Sequence, residues 1–220
     1  MKFFRKFAAN NIKGNASYRF RVKRLELLKN FLNAKGNKNE NILLDLGGTN
    51  YFWDNFKDFL TNGALKLFIV NIELSAVKGY SGFVADVKNL SMIKSKSVDF
   101  VLSNSLIEHL GSFEEQAQFA KEVERISFNY FIQTPAFLFP LEPHFLFPFF
   151  HWLPKRARVF LITHFSLGWF EKFSDRKEAE TIINETRILK KKELKTLFPN
   201  SEIVTEFFFL FPKSYIIISK

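Results

Sequence analysis

The chain has 220 residues, room for one α/β domain with a sizeable core and too little for two full-size domains and a linker. Hydrophobic residues make up 47% and charged residues 25%, within the ordinary range of folded soluble chains, and the absence of cysteine excludes disulfides, thiolate chemistry and cysteine-ligated metals. With 32 Lys and Arg against 22 Asp and Glu, the net charge of +10 favours an anionic partner, whether nucleic acid, a phosphorylated substrate or an anionic membrane surface.

From Tyr18 to Leu32 the apolar residues Phe20, Val22, Leu25, Leu28, Phe31 and Leu32 recur at mostly helical spacing among Arg and Lys, which predicts an amphipathic lead-in helix. The Gly- and Asn-containing segment 34–41 punctuates it, and Ile42-Leu43-Leu44-Asp45-Leu46 reads as a buried strand, so the main fold starts near residue 40. After a glycine turn the pattern predicts a helix from about Tyr51 to Leu60, then strands over 67–72, 82–86 and 98–103, a helix over 113–126 and a fifth strand over 130–134. Short apolar runs alternating with helical segments specify a parallel sheet covered on both faces.

Residues 191–197 read as a short helix stopped by Pro199, followed by strands over 202–211 and 214–219 joined through Pro212-Lys213. So short a link permits only antiparallel pairing. Between Pro135 and Glu185 the chain is rich in Phe and Pro without strand–helix alternation, and reads as a cover inserted over the ligand edge of the sheet. The expected fold is therefore α/β: a Rossmann-like, doubly wound, mostly parallel sheet with a C-terminal antiparallel β-hairpin and an aromatic-rich insert after the fifth strand.

No apolar run approaches the roughly 18 residues of a membrane span. The N-terminus Met1-Lys2-Phe3-Phe4-Arg5-Lys6-Phe7 turns polar at Asn10 without a sustained apolar core, so no secretory signal is expected and a reducing cytoplasm is the expected setting.

Asp45-Leu46-Gly47-Gly48-Thr49-Asn50 lies where the first strand turns into the first helix, and glycines there let a ligand approach the backbone. The second strand ends at Asn71-Ile72-Glu73 and the third at Asp86, while the fourth runs into Ser103-Asn104-Ser105-Leu106-Ile107-Glu108-His109. Singly, each polar residue reads equally well as a helix cap or a solvated loop group. Together they mark the carboxyl edge of one sheet, which is where open α/β sheets bind ligands.

These segments resemble the class I S-adenosylmethionine-dependent methyltransferases, particularly the small-molecule, methyltransferase type 11-like branch. Residues 42–50 look like the family's first motif, 67–73 its second, 82–86 its third and 98–110 its fourth; the resemblance resumes in the terminal hairpin. It implies one methyltransferase domain over 1–220, with a helical lead-in over 1–40 and the cover over 135–185. It further implies S-adenosyl-L-methionine as cofactor, with Asp45, Gly47, Gly48 and Thr49 shaping the pocket for its methionine portion. Asn71 falls where the family usually has an acidic ribose ligand, so either Asn71 or Glu73 holds the ribose; Asp86 falls at the adenine position, and Ser103 and Asn104 face the cofactor. A nicotinamide enzyme would need a G-x-G-x-x-G turn and a nucleoside-triphosphate hydrolase a P-loop, and the chain has neither.

Methyl transfer to a hydroxyl needs a group to receive the acceptor's proton, a task suited to histidine near neutral pH. His109 follows the fourth strand, and Glu142 and His144 sit among Pro140 and Pro143, whose fixed φ limits local freedom. These three are the candidate catalytic residues, with Glu142 and His144 on the acceptor side; for each histidine a structural role is the competing reading. No spacing of histidine and carboxylate demands a metal. The Glu142-Pro143-His144 segment after the Gln133-Thr134-Pro135 strand end resembles bacterial methyltransferases, which implies a sugar or glycolipid acceptor, so the expected activity is O-methylation of a small-molecule, glycan or glycolipid acceptor. The alternatives are a non-catalytic ligand- or partner-binding protein on the same fold, and an RNA methyltransferase. Against the latter, Ser103-Asn104-Ser105-Leu106 lacks the Asn/Asp-Pro-Pro-aromatic pattern, and no RNA-binding module is appended. The interleaving of aromatics with Lys155, Arg156 and Arg158 in the insert suits either a cover that excludes water or a peripheral contact with the anionic inner surface of a membrane.

Overall fold

Leu43, Leu44, Asp45 and Leu46 are all buried, as a strand covered on both faces requires, and they place β1 (Asn41–Leu46) inside the sheet. The computed structural model describes residues 16–36, 40–54, 65–73, 75 and 78–220. On one side β1 pairs in parallel with β2 (Leu65–Asn71), which in turn pairs with β3 (Gly82–Val84). On the other side it pairs with β4 (Phe100–Asn104), and β4 with β5 (Asn129–Pro135), again in parallel. The sheet closes with β6 (Ser201–Phe208) and β7 (Phe211–Ser219), giving the order β3-β2-β1-β4-β5-β7-β6 among the described residues. The doubly wound parallel sheet with an antiparallel terminal hairpin is thus as expected.

Helix α1 (Ala16–Lys35) covers one face, where Leu28, Phe31 and Leu32 pack with Leu43, Phe100 and Phe131; the rings of Phe31 and Phe100 meet edge to face at 5.8 Å. After β1 comes α2 (Asn50–Asp54); the rest of the helix expected up to Leu60 lies outside the described residues, as do residues 1–15 of the lead-in. The opposite face carries α3 (Phe113–Ile126), begun by a reciprocal capping box between Ser112 and Glu115 and burying Phe119, Ala120, Val123 and Ile126.

Two expectations need correction. The hairpin turns at Phe209-Leu210 rather than at Pro212-Lys213, which lie inside β7 with Pro212 opposite Phe207. A register shift between Glu206 and Phe207 accommodates the proline near the strand's start, where the loss of one N–H does least harm to the ladder. Second, the segment from Pro135 to Glu185 is not irregular throughout: it contains α4 (Lys155–His164) and α5 (Arg176–Glu185), which bury Val159, Ile162, Ala179 and Ile183 against Phe145, Phe150 and Leu167. This cap has an apolar core of its own. Helix α6 (Lys191–Leu197) then leads back into the sheet.

No described helix is long and apolar enough to cross a membrane.

Candidate functional site

The chain leaves β1 through Gly47, whose φ of +78° is ready for glycine, and a side chain there would also meet Leu106 at 2.7 Å. The Gly47 N–H donates to Val70 O (2.8 Å), and the Asn71 amide donates to Gly48 O (2.8 Å) while its oxygen accepts from Glu73 N (3.2 Å). The turn is therefore fastened to β2. Thr49 caps α2, its hydroxyl accepting from Phe52 N at 3.2 Å.

Asp45 is 2% exposed. Trp53 Nε1 donates to its Oδ2 at 2.7 Å, and Oδ1 has no hydrogen-bond partner. Burial raises this carboxyl from 3.8 to about 7, the Trp53 bond acting in the opposite direction. Ser103 is likewise buried, and its hydroxyl donates to Leu46 O at 3.0 Å.

A cleft of about 570 Å³ opens at the carboxyl ends of the parallel strands, lined by Gly47, Asn71, Asp86, Leu106, His109 and His144. Residues from four separate turns and the cap thus meet at one rim. Asp86 is exposed and accepts from Lys88 N at 2.9 Å. The cap contributes Phe170 and Ile182 to the wall. Asp45, Gly48, Thr49, Glu73, Ser103 and Asn104 are outside this lining: the first three and Ser103 are engaged in holding the turn and strand ends, and Glu73 is exposed beyond the rim.

Asn104 belongs to a second cavity of about 270 Å³, together with Arg24, Glu108, Lys213 and His144. Its side-chain oxygen accepts from Arg24 Nη1 at 2.7 Å, and Arg24 Nη2 donates to Glu206 at 2.9 Å. Arg24 Nε is buried without a partner. Burial, followed by the charge of Arg24, lowers the Lys213 ammonium to about 8, with Glu206 opposing.

His144 lines both cavities. Its position is set by Glu142, which is 1% exposed and accepts from the backbone N–H groups of His144 (2.8 Å) and Phe145 (2.6 Å) through Oε2, while Oε1 lies 2.5 Å from His144 Nδ1. Gly168, at φ +56°, packs so closely on the carbonyl of His144 that a Cβ would lie 2.4 Å from it. The His144 Nε2 faces His109 Nε2 at 3.0 Å. Burial works against a charged His144, but the hydrogen bond and charge of Glu142, with the charge of Glu108, override it and raise the ring above the ordinary imidazole value. His109 moves the other way, lowered to about 4 by burial of its ring and then by His144, although the residue as a whole is exposed. In the protonated pair His144 therefore donates to both neighbours and His109 accepts.

Glu108 completes the group. Fully buried in a short 3₁₀ turn (Ile107–His109), it accepts from Thr134 Oγ1 at 3.0 Å through Oε2, and Oε1 has no partner. Burial is the main cause that raises its carboxyl to about 7, with the His144 charge opposing. Glu108, Arg24 and Lys213 line the second cavity and Gly168 packs on His144, and sequence reasoning selected none of the four as a site residue. Only Glu108 carried a local signal, its adjacency to His109; Arg24 is 80 positions from Asn104 and nothing near it in the chain points there.

No protein-family model matches the sequence, nor does any curated protein. Solved structures do match, and they define the class of fold: that of the class I S-adenosylmethionine-dependent methyltransferases. A methyltransferase of that type from Methanosarcina mazei superposes with a TM-score of 0.53 at 16% identity, covering 87% of this chain and 95% of its own. Magnesium protoporphyrin IX methyltransferase from Synechocystis PCC 6803, a structure with bound S-adenosylhomocysteine, gives 0.54 at 11% identity over 100% and 94% of the two chains. A structure described as a zinc-dependent alcohol dehydrogenase from Rhodobacter sphaeroides gives 0.54 at 12% over 90% of each. The likeness at these identities is one of fold, and the activity has to be argued from the site.

Proposed function

We propose that the protein is an S-adenosylmethionine-dependent methyltransferase, residues 1–220 acting as one domain, that methylates an oxygen of a small or glycan-like acceptor bearing an acidic group. The observation that carries this reading is the meeting of two cavities at His144, one bounded by the glycine turn and Asp86, the other by cationic side chains.

The first cavity fits the cofactor. Its volume of about 570 Å³ is adequate for an adenosyl amino acid, as ligand pockets run from roughly 300 to 1,000 Å³. An Asn and an Asp stand at the ends of neighbouring strands for the ribose and adenine. Bound there, the cofactor supplies a methyl group already activated on a sulfonium, so that alignment supplies much of the rate. Asn71 and Asp86 orient the adenosyl portion; Gly47 allows close approach; Asp45, Gly48, Thr49 and Ser103 keep the turn in shape. Glu73 stands at the outer rim, and Asn104 faces the acceptor side. The cap excludes water through Phe170 and Ile182.

In the second cavity, the orphaned Arg24 Nε and the Lys213 ammonium, lowered by burial and then by the charge of Arg24, favour a carboxylate or phosphate on the acceptor, because an anion offsets both the lost solvation and the repulsion between the cations. The acceptor hydroxyl then lies against His144, which with Glu142 and His109 governs the fate of its proton.

Calorimetry with S-adenosylmethionine, S-adenosylhomocysteine and a nicotinamide dinucleotide tests the reading. Micromolar binding of the first two is expected, weakened about tenfold in Asp86→Ala through loss of a polar partner to the adenine. Binding of the dinucleotide in their place would sink it, and saturable cofactor binding without methyl product across a broad panel of acids would favour a binding protein.

The outer surface of the cap supports a membrane-facing role. Phe160 and Phe165 stand exposed on and just after α4, with Phe149, Trp152 and Trp169 nearby in the chain and Lys155 and Arg156 exposed at the helix start. The protein is expected to co-sediment with vesicles rich in anionic lipid at low salt and to be released as salt is raised, and Phe160→Ser with Phe165→Ser to abolish retention. Equal recovery with and without vesicles would dismiss this contact.

A further inference from the structure

We propose that Glu108, His109 and His144 together bind one divalent first-row transition-metal ion at the junction of the two cavities. One ligand atom from each of the three lies within 4.8 Å of the others. The two Nε2 atoms face each other at 3.0 Å. Two nitrogens each about 2.1 Å from an ion and a right angle apart stand about 3.0 Å from one another, so the rings are spaced as adjacent ligands. The third donor carries its own signature: the Glu108 side chain is fully buried, and its Oε1 has no hydrogen-bond partner. The residue that brings the third donor within 4.8 Å of the two imidazoles thus keeps a buried oxygen with no protein partner, which a bound cation would satisfy.

The surroundings support the same assignment. A histidine ligand ordinarily has its second nitrogen tied to a carboxylate, which fixes the tautomer and sharpens the ring's basicity. His144 Nδ1 has that partner in Glu142 at 2.5 Å, and Glu142 is itself locked by two backbone N–H groups. Thr134 fixes the other oxygen of Glu108. Two histidines and one carboxylate on one side of an ion leave its remaining positions open, a donor set suited to manganese, iron, cobalt or zinc rather than to calcium.

Glu108 and His144 line the cavity assigned to the acceptor, and this part of the inference rests on the methyltransferase reading. An acceptor hydroxyl coordinated there loses its proton to solvent more readily, as metal-bound water does. The oxygen lone pair then forms the new bond to the methyl carbon while the carbon–sulfur bond breaks, its electron pair returning to sulfur. With the ion bound, the imidazoles serve as ligands, and neither stores the acceptor's proton.

The test is titration of the metal-stripped full-length chain with cobalt(II), followed by its visible d–d absorption and by calorimetry, in the absence of cofactor. One cobalt per chain is expected, with affinity falling at least tenfold in His109→Ala, His144→Ala and Glu108→Gln, and unchanged in His164→Ala, whose ring stacks on Phe160 away from the group. Far-UV circular dichroism checks each variant; His109 is exposed, so its truncation keeps the test decisive if Glu108→Gln does not fold. Absence of the d–d band, or weak binding retained equally by all three variants, overturns the site. Cobalt binding without S-adenosylmethionine binding overturns the methyltransferase reading alone, and cofactor binding without cobalt binding overturns this inference alone.

Discussion

Asp45→Asn is expected to remain nearly as stable at pH 8 as at pH 5 over the part of the pH profile that Asp45 contributes, whereas the parent chain loses stability across that interval. Burial raises the folded carboxyl to about 7, while an unfolded aspartate ionises near 3.8. Between these values the folded chain binds more protons than the unfolded one, so stability is greatest below about pH 4, falls as pH rises and levels off above about pH 7. The full swing is of order 4 kcal/mol. Thermal melts of the two proteins from pH 4 to pH 8 measure it as a difference, which cancels every other group. Parallel curves would mean that Asp45 is not held in the buried, Trp53-bonded state. Trp53→Phe should act in the opposite sense at high pH, leaving the carboxylate without any partner.

His144→Ala is expected to lower turnover by about 10²- to 10⁴-fold, the usual range for removing a group that handles the reacting proton or the oxygen that bears it. Cofactor affinity should change by no more than a few-fold, because His144 touches that cleft only where it joins the second cavity, and Gly47, Asn71 and Asp86 are untouched. Glu142→Gln should lower turnover less and should also loosen the cap, since its carboxylate receives the backbone N–H groups of His144 and Phe145. Turnover numbers and cofactor dissociation constants measured side by side decide the matter; loss of cofactor binding with unchanged turnover at saturation would remove His144 from the acceptor side.

The strands were legible because parallel strands buried on both faces leave unbroken apolar runs, such as Ile69-Val70 and Val101-Leu102, and α3 because its polar and apolar positions alternate at helical spacing between a capping serine and a buried isoleucine. The hairpin turn was not. Pro212-Lys213 has the chemistry of a turn and Phe209-Leu210 does not, but the pairing of Ser214 with Pro135 and the burial of Tyr215 to Ile217 draw the proline into the strand. Phe209 adopts a φ of +52° and stands exposed as a result. Helix α4 was hidden for a different reason: it buries Val159 and Ile162 on one side and exposes Phe160 on the other, so that hydrophobicity alone shows no clear period.

The candidate site was legible in outline as a place in the fold. Gly47, Asn71 and Asp86 were visible as polar or glycine ends to successive strands, and they line one cleft. Asp45 and Ser103 look identical in sequence to ligand-facing groups, yet the residue eight positions on, Trp53, claims the first, and the end of the neighbouring strand claims the second. The approach of His109 to His144 across 35 positions, and of Arg24 to Glu206 across 182, arises only from the path of the chain.

Because β7 pairs with β5 while β6 holds the outer edge, the backbone of Phe131 to Thr134 has no ladder partner on that flank until the entire cap, α6 and the hairpin have been synthesised. The strands that frame the cleft emerge from the ribosome with a sticky, apolar border exposed to other nascent copies. Damage to the hairpin would therefore reveal itself first as poor yield and insoluble product during expression, well before any change in the behaviour of the molecules that do mature.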